Sequence, residues 1–151
     1  MHYWLRKAIA TDFDSINRLF KEMLQSIYKA EPAQGYVPGA LDYYFSGSED
    51  WICVAETNGA LIGFLAIEVH REGFDYLYYD DCCVSEACRN KGVGSALMDA
   101  AEAYGASIGV STAVLHVEAS NKAAQRLYQR HGFTLLREDG SRLCMHKNFA
   151  R

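Results

Sequence analysis

The chain is poor in proline, has no membrane-length apolar run and carries no surplus of positive charge, and each shortage closes off a class of protein. Two prolines, charged residues at 23% and a composition that is 50% hydrophobic describe a globular chain and not a disordered one. No stretch approaches the ~18 consecutive apolar residues that suggest a membrane span. The opening Met1-His2-Tyr3-Trp4-Leu5-Arg6-Lys7 has no apolar signal core, so we read the protein as cytoplasmic, with no membrane partner. A net charge of −4 argues against nucleic acid as the main partner, since phosphate backbones are met by basic surfaces, and it weakly suits a cationic substrate. The five cysteines (Cys53, Cys82, Cys83, Cys88 and Cys144) are odd in number and show neither Cys-x-x-Cys nor paired zinc spacing, so reduced thiols and no metal are expected. Cys82 and Cys83, adjacent on a strand, point to opposite faces and read as packing residues rather than nucleophiles. A length of 151 residues predicts one domain over 1–151.

What the sequence does hold is the stretch Arg89-Asn90-Lys91-Gly92-Val93-Gly94-Ser95, set between a strand-like run ending at Val84 and a helical run starting near Gly92. Glycine has no Cβ to keep a ligand from the backbone, and the first turn of a helix leaves N–H groups free to point at an anion. Arg89 and Lys91 add two positive charges to the helix dipole. A diphosphate fits such a loop. A nucleotide P-loop would need Gly-Lys-Ser/Thr, but Gly94 is followed by Ser95 and Ala96; a dinucleotide fingerprint would need a third glycine, where Leu97 stands.

In chain order, Tyr3 to Ile9 predicts a short strand, and Thr11 offers a helix cap with Asp14 three residues on. Phe13, Ile16, Phe20, Met23 and Ile27 recur at spacings of three and four, an amphipathic helix. Both prolines and two glycines fall within Glu31 to Gly39 and end it, and a short helix is expected from Ala40 to Phe45. This linker carries Tyr36, Tyr43, Tyr44, Glu31 and Asp42, which read either as packing groups or as aromatic faces and carboxylates that hold an amine. Trp51 to Glu56 and Leu61 to Val69 flank Asn58-Gly59, a strong hairpin signal, and the second run is apolar enough for a central strand. Tyr76 to Val84 follows, then a helix marked by Val93, Leu97, Ala101, Tyr104 and Ile108 and closed at Gly109. Thr112 to Val117 is the next strand, expected to be the parallel neighbour of the one before the glycine loop. Ser120 or Asn121 caps a helix with Ala124, Leu127, Tyr128 and His131 on one face, and a last hairpin joins Phe133–Leu136 to Leu143–Lys147 over Asp139-Gly140.

The loop Arg89 to Gly94 resembles the pyrophosphate loop of the GNAT superfamily of acyl-CoA-dependent N-acetyltransferases. The resemblance extends over roughly Tyr76 to Phe149 through Leu115-His116-Val117-Glu118-Ala119-Ser120-Asn121, Ala124, Leu127-Tyr128 and Gly132-Phe133. It implies a mixed α/β (α+β) fold with a central sheet of six or seven strands flanked by about four helices, and acetyl-CoA as co-substrate without a metal. In that family the residue matching Asn121 contacts the pantetheine arm, and the one matching Tyr128 stands near the thioester sulfur. Dimerisation through the C-terminal strands is a family-level expectation.

Elementary chemistry agrees with these roles. A parallel strand pair that splays leaves unpaired N–H and C=O groups with which pantetheine can pair like an added strand, and Val84 and Val117 lie where that would happen. A backbone N–H of the Cys83–Val84 region would then polarise the acyl carbonyl. Tyr128, protonated at neutral pH, is the candidate acid, with an aromatic core residue as its ordinary alternative. For the base, strand alternation turns Asp80 and Asp81 to opposite faces, with Asp80 beside Cys82 and Val84. The pair resembles the Glu-Asp pair of polyamine and diamine acetyltransferases, which suggests Asp80 for base work and Asp81 for amine binding. His116 competes, matching a base position in acetyltransferases of ribosomal-protein N-termini. The function so implied is transfer of an acetyl group to a primary amine of a small cationic molecule such as a polyamine, an aminoglycoside or an amino acid derivative. A peptide N-terminal acetyltransferase and a non-catalytic acyl-CoA sensor are the alternatives.

Overall fold

A computed structural model describes residues 2–29 and 33–149. Glu31, grouped above with the linker aromatics, lies outside them. Seven strands, β1 (Trp4–Lys7), β2 (Trp51–Thr57), β3 (Ala60–His70), β4 (Tyr76–Val84), β5 (Thr112–Glu118), β6 (Thr134–Asp139) and β7 (Arg142–Asn148), form one sheet in the order β1-β2-β3-β4-β5-β7-β6. Neighbours are antiparallel except β4 and β5. A parallel pair needs a crossover, which α2 (Val93–Ser107) supplies; the other helices are α1 (Phe13–Tyr28) and α3 (Lys122–Arg130).

The sheet falls within the expected strand number, and among the described residues three α-helices flank it where about four were expected. The stretch expected as a helix from Ala40 is only a 3-10 turn over Asp42–Phe45. Its backbone closes i→i+3 bonds, Ala40 N–H on Val37 at 3.0 Å, Asp42 on Gly39 at 3.1 Å and Tyr44 on Leu41 at 3.0 Å, where an α-helix requires i→i+4. Thr11 is not the cap of α1. A 3-10 turn over Ala10–Asp12 precedes the helix, and Asp12 takes the Ile9 N–H at 2.9 Å together with the Arg6 guanidinium at 2.8 Å. The two-residue turn Asn58-Gly59 (φ 51° and 78°) joins Thr57 to Ala60 as its sequence requires. The C-terminal turn is displaced by one residue: Asp139 pairs with Arg142, so Gly140-Ser141 make the loop.

Both faces of the sheet are covered over β3. Leu65 and Ile67 point to the side of α2 and α3 and join Leu77, Leu97, Met98, Leu115 and Phe133; Phe64 and Ala66 point to α1 and join Ile16, Leu19, Ile52 and Val54. Burying a side chain of this size contributes roughly 1.5–3 kcal/mol, which makes β3 the spine of the fold. Two departures from regularity then shape β4. Its register against β3 passes from Ala66↔Asp81 directly to Ile67↔Tyr79, so Asp80 is the extra residue of a β-bulge. Its pairing with β5 covers only Leu77 to Tyr79 against Ala113 to Leu115, beyond which the two strands separate.

Candidate active site

The separation opens a cleft of about 550 Å³ that runs through the sheet. Asp80 to Val84 form one wall and His116 to Glu118 the other. Among the described residues their facing backbone edges have no partner strand at this point. The end of α1 (Met23 to Tyr28) borders the cleft on one face of the sheet, and the start of α2 with α3 borders it on the other.

At the α2 end, the helix ladder begins with the Ala96 N–H on the Gly92 carbonyl at 3.0 Å, so the Val93, Gly94 and Ser95 N–H groups have no partner within the helix. Gly92 is the residue before α2 and adopts φ 84°, a conformation that favours glycine, and Asn90 holds φ 62°. Gly94 also has a packing role. A Cβ there would meet Leu127 Cδ2 at 3.2 Å, so this glycine brings α2 and α3 together beneath the cleft. Arg89 is held along the loop by its Nε donating to the Val84 carbonyl at 3.3 Å. Arg89, Asn90, Gly92, Val93, Gly94 and Ser95 border the cleft, whereas Lys91 does not.

Tyr128 lies on the cleft-facing side of α3, its ring 6.0 Å from Phe133, and among the described residues no hydrogen bond engages its hydroxyl. Burial pushes its pKa well above the ordinary tyrosine value. The same loss of water raises the basicity of any thiolate formed there, so the two shifts run in parallel. Asn121 caps α3 with its side-chain oxygen on the Ala124 N–H at 3.2 Å, and Val117 stands opposite β4. Burial raises the thiols too, Cys82 to about 12 and Cys83 well above its usual value, so both stay protonated at neutral pH. Cys83 turns instead to Met23, sulfur to sulfur at 3.3 Å.

The bulge overturns the alternation expected for the acidic pair. Asp81 accepts the Tyr36 hydroxyl at 2.5 Å and Asp80 accepts that of Tyr44 at 3.5 Å, and both tyrosines pack in the α1-side core. Asp80 therefore faces the same side as Asp81, not the side of Cys82 and Val84, which pack toward α2. Desolvation, then the nearby charges of Asp81 and Glu68, push Asp80 up to about 6; desolvation likewise raises Asp81, opposed by its Tyr36 hydrogen bond. Tyr36, stacked on Phe20 at 4.0 Å, and Tyr43, bonded to Glu68 at 3.1 Å, sit behind the carboxylates and do not border the cleft. Glu68 escaped the sequence reading, although a carboxylate inside the apolar run of β3 was a visible signal.

His116 borders the cleft but both ring nitrogens are engaged, Nδ1 with the Tyr78 hydroxyl at 2.6 Å and Nε2 with Asp139 at 2.8 Å. Arg137 also holds Asp139, at 3.0 Å, and the hydrogen bond with His116, followed by that from Arg137, keeps the Asp139 carboxyl below its usual pKa. Cys144 adds a third possible metal ligand within 4.8 Å, in a sequence from which none was expected, but here the carboxylate and imidazole bond to each other. Glu118, Arg142 and Tyr28 also border the cleft, with Tyr28 donating to Glu118 at 3.1 Å. The sequence reading assigned none of the three a role: strand register brings Glu118 and Arg142 to the opening, and the end of α1 brings Tyr28.

The profile of the GNAT acetyltransferase family matches residues 15–133. A Bacillus subtilis protein provisionally named a phosphinothricin acetyltransferase is 24% identical over 134 residues, which are 85% of this chain and 82% of that protein. The mycothiol acetyltransferase of Streptomyces avermitilis is 38% identical over 81 residues, 53% of this chain and 26% of that protein. Among solved structures, the PaiA N-acetyltransferase of Thermoplasma acidophilum in complex with coenzyme A superposes with a TM-score of 0.82 at 18% identity, over 99% of this chain and 100% of that one. At that identity the likeness is one of fold.

Proposed function

The chain belongs to the GNAT family of acyl-CoA-dependent N-acetyltransferases, and we propose that it acetylates a primary amine on a small molecule whose ammonium group is held by Asp80 and Asp81. The observation that carries this reading is the shared orientation of the two carboxylates on one wall of a cleft that Tyr128 also borders. The free N–H groups of Val93, Gly94 and Ser95, with Arg89 and Asn90, fit the diphosphate of acetyl-CoA. The unpaired edges at Val84 and Val117, with Asn121, fit its pantetheine arm. Acetyl-CoA supplies the activated carbonyl. Asp80, poised near 6, takes a proton from the bound ammonium and so frees its lone pair to form the N–C bond. A backbone N–H of the Cys83–Val84 region steadies the carbonyl oxygen, Tyr128 gives its proton to the sulfur as the C–S bond breaks, and the surplus proton on the new amide nitrogen passes through water to restore the Tyr128 hydroxyl. Asp81 keeps the amine in place, with Tyr36 fixing the carboxylate from behind.

Asp80 is preferred to His116 as base because its carboxylate meets one long hydrogen bond, while both nitrogens of His116 are taken. The exposed Leu135 and Leu136 on the edge strand β6 support self-association through the C-terminal strands. The test of the main reading is steady-state turnover of acetyl-CoA with a panel of polyamines, aminoglycosides, amino acids and short peptides, followed by thiol release. Turnover with a small amine and none with peptides is the expected result; peptide-only turnover replaces this reading by N-terminal acetylation, and cofactor binding without any turnover leaves a sensor.

A further inference from the structure

Arg142 opens β7 directly opposite Glu118 of β5. Oppositely charged cross-strand neighbours commonly pair. Here Glu118 accepts the Tyr28 hydroxyl instead, and Arg142 takes part in none of the ion pairs among the described residues. Arg6, Arg71 and Arg137 each hold a carboxylate at 2.7–3.0 Å, whereas the three arginines that border the cleft hold none among the described residues; of these Arg89 follows β4 on the glycine loop, Arg130 ends α3, and Arg142 is the one on a strand. Arg142 borders the same cleft as Asp80 and Asp81, and its charge is felt there. Tyr28 lies under the opposed influence of Arg142 and Asp81, and Tyr78 under that of Arg142 and Asp80. The acceptor end of the cleft thus has a negative pole on β4 and a positive pole on β7. β5 lies between them, and because β4 and β5 have already separated here the gap exceeds two ordinary strand spacings, about 10 Å; the long arginine side chain together with a small substrate can span it.

We propose that Arg142 anchors the carboxylate of a zwitterionic acceptor, so that the amine acetylated is that of an α-amino acid. This rests on the acetyltransferase reading above and narrows its substrate. A guanidinium grips a carboxylate through two parallel charge-assisted hydrogen bonds, which orients the molecule as well as binding it. With that end fixed at β7, the ammonium is directed to Asp80 and Asp81. A polyamine would instead bring a second ammonium against Arg142, and like-charge repulsion rejects it.

The experiment measures thiol release for L-α-amino acids, their matched carboxamides and spermidine, with the parental enzyme, Arg142→Gln and Arg142→Lys. Calorimetric titration of the preferred amino acid into the enzyme–CoA complex gives a second readout. We expect an amino acid to exceed its own carboxamide in kcat/KM. Arg142→Gln should erase that preference by raising KM and weakening calorimetric binding about ten- to a hundredfold, with kcat nearly kept, and Arg142→Lys should restore part of it. Preference for spermidine or for the carboxamides, or a preference for amino acids that survives Arg142→Gln, overturns the proposal while leaving the transferase reading standing. Absence of thiol release with every amine overturns both.

Discussion

Asp80 and Asp81 are consecutive on β4, yet both carboxylates turn to the α1 side of the sheet, one to Tyr44 and the other to Tyr36. The bulge at Asp80 is the cause. Loss of water in the wall, with the nearby charges of Asp81 and Glu68 added at Asp80 and that of Glu68 at Asp81, makes the pair hold protons to higher pH than isolated carboxylates do.

Asp80→Asn should therefore lower kcat by about 10²–10⁴-fold, the usual contribution of a positioned base. In the parental enzyme the acidic limb of the pH–rate profile should fall near 6, where Asp80 loses its proton. Rates measured from pH 5 to 9 decide the matter: a variant that keeps both the rate and the limb removes Asp80 from the chemistry.

The same shift has a consequence for stability. A carboxylate whose folded pKa is raised stabilises the fold below its unfolded pKa, and that contribution is lost as pH rises through the folded value, here between about 4 and 6. At pH 7.5 Asp80→Asn and Asp81→Asn should accordingly melt at a higher temperature than the parent, with the difference narrowing toward pH 4. Thermal unfolding at the two pH values is the check, and a melting temperature lowered at pH 7.5 would contradict the assignment.

Tyr128→Phe keeps the ring against Phe133 and removes only the hydroxyl, which no hydrogen bond engages among the described residues. Folding and CoA affinity should persist while kcat falls about 10²–10⁴-fold with KM for acetyl-CoA little changed. The loss should shrink with an acyl donor whose thiol is more acidic. Parental turnover in this variant would return Tyr128 to an ordinary packing role.

Gly92 and Gly94 should fail differently when replaced. Gly92→Ala meets no atom within 4 Å but must hold φ 84°, a strain of about 1–2 kcal/mol that weakens both the fold and the diphosphate cradle. Gly94→Val pushes into Leu127, displacing α3 and Tyr128 with it, so it should lower CoA affinity, kcat and melting temperature together. Calorimetric titration with CoA beside thermal unfolding separates the two; a Gly94→Val protein with intact α3 packing and lost CoA binding would mean the valine blocks the ligand directly.

His116→Ala leaves Tyr78 and Asp139 without a shared partner, so it should cost about 1–3 kcal/mol of stability while kcat changes less than tenfold. Denaturant unfolding and steady-state kinetics test this. If its kinetic loss exceeds that of Asp80→Asn, the base is His116.

Local sequence determined much of this protein. Apolar periodicity marked α1 and β3, Asn58-Gly59 set the hairpin between β2 and β3, and Gly92 ahead of Val93 announced a helix start with free N–H groups, because each depends on residues close in the chain. The family resemblance likewise groups Arg89 to Ser95, Asn121 and Tyr128 from the sequence by itself. What required the tertiary structure was every relation set by strand register. The bulge that turns Asp80 beside Asp81 arises from how β4 meets β3, and strict alternation along β4 points the other way. Glu68 behind the carboxylates, the Tyr78–His116–Asp139 chain and Arg142 at the cleft each join residues that are distant in sequence. A side chain's type is written in the sequence, but its direction depends on pairing, and a one-residue slip in a strand sends it to the opposite face.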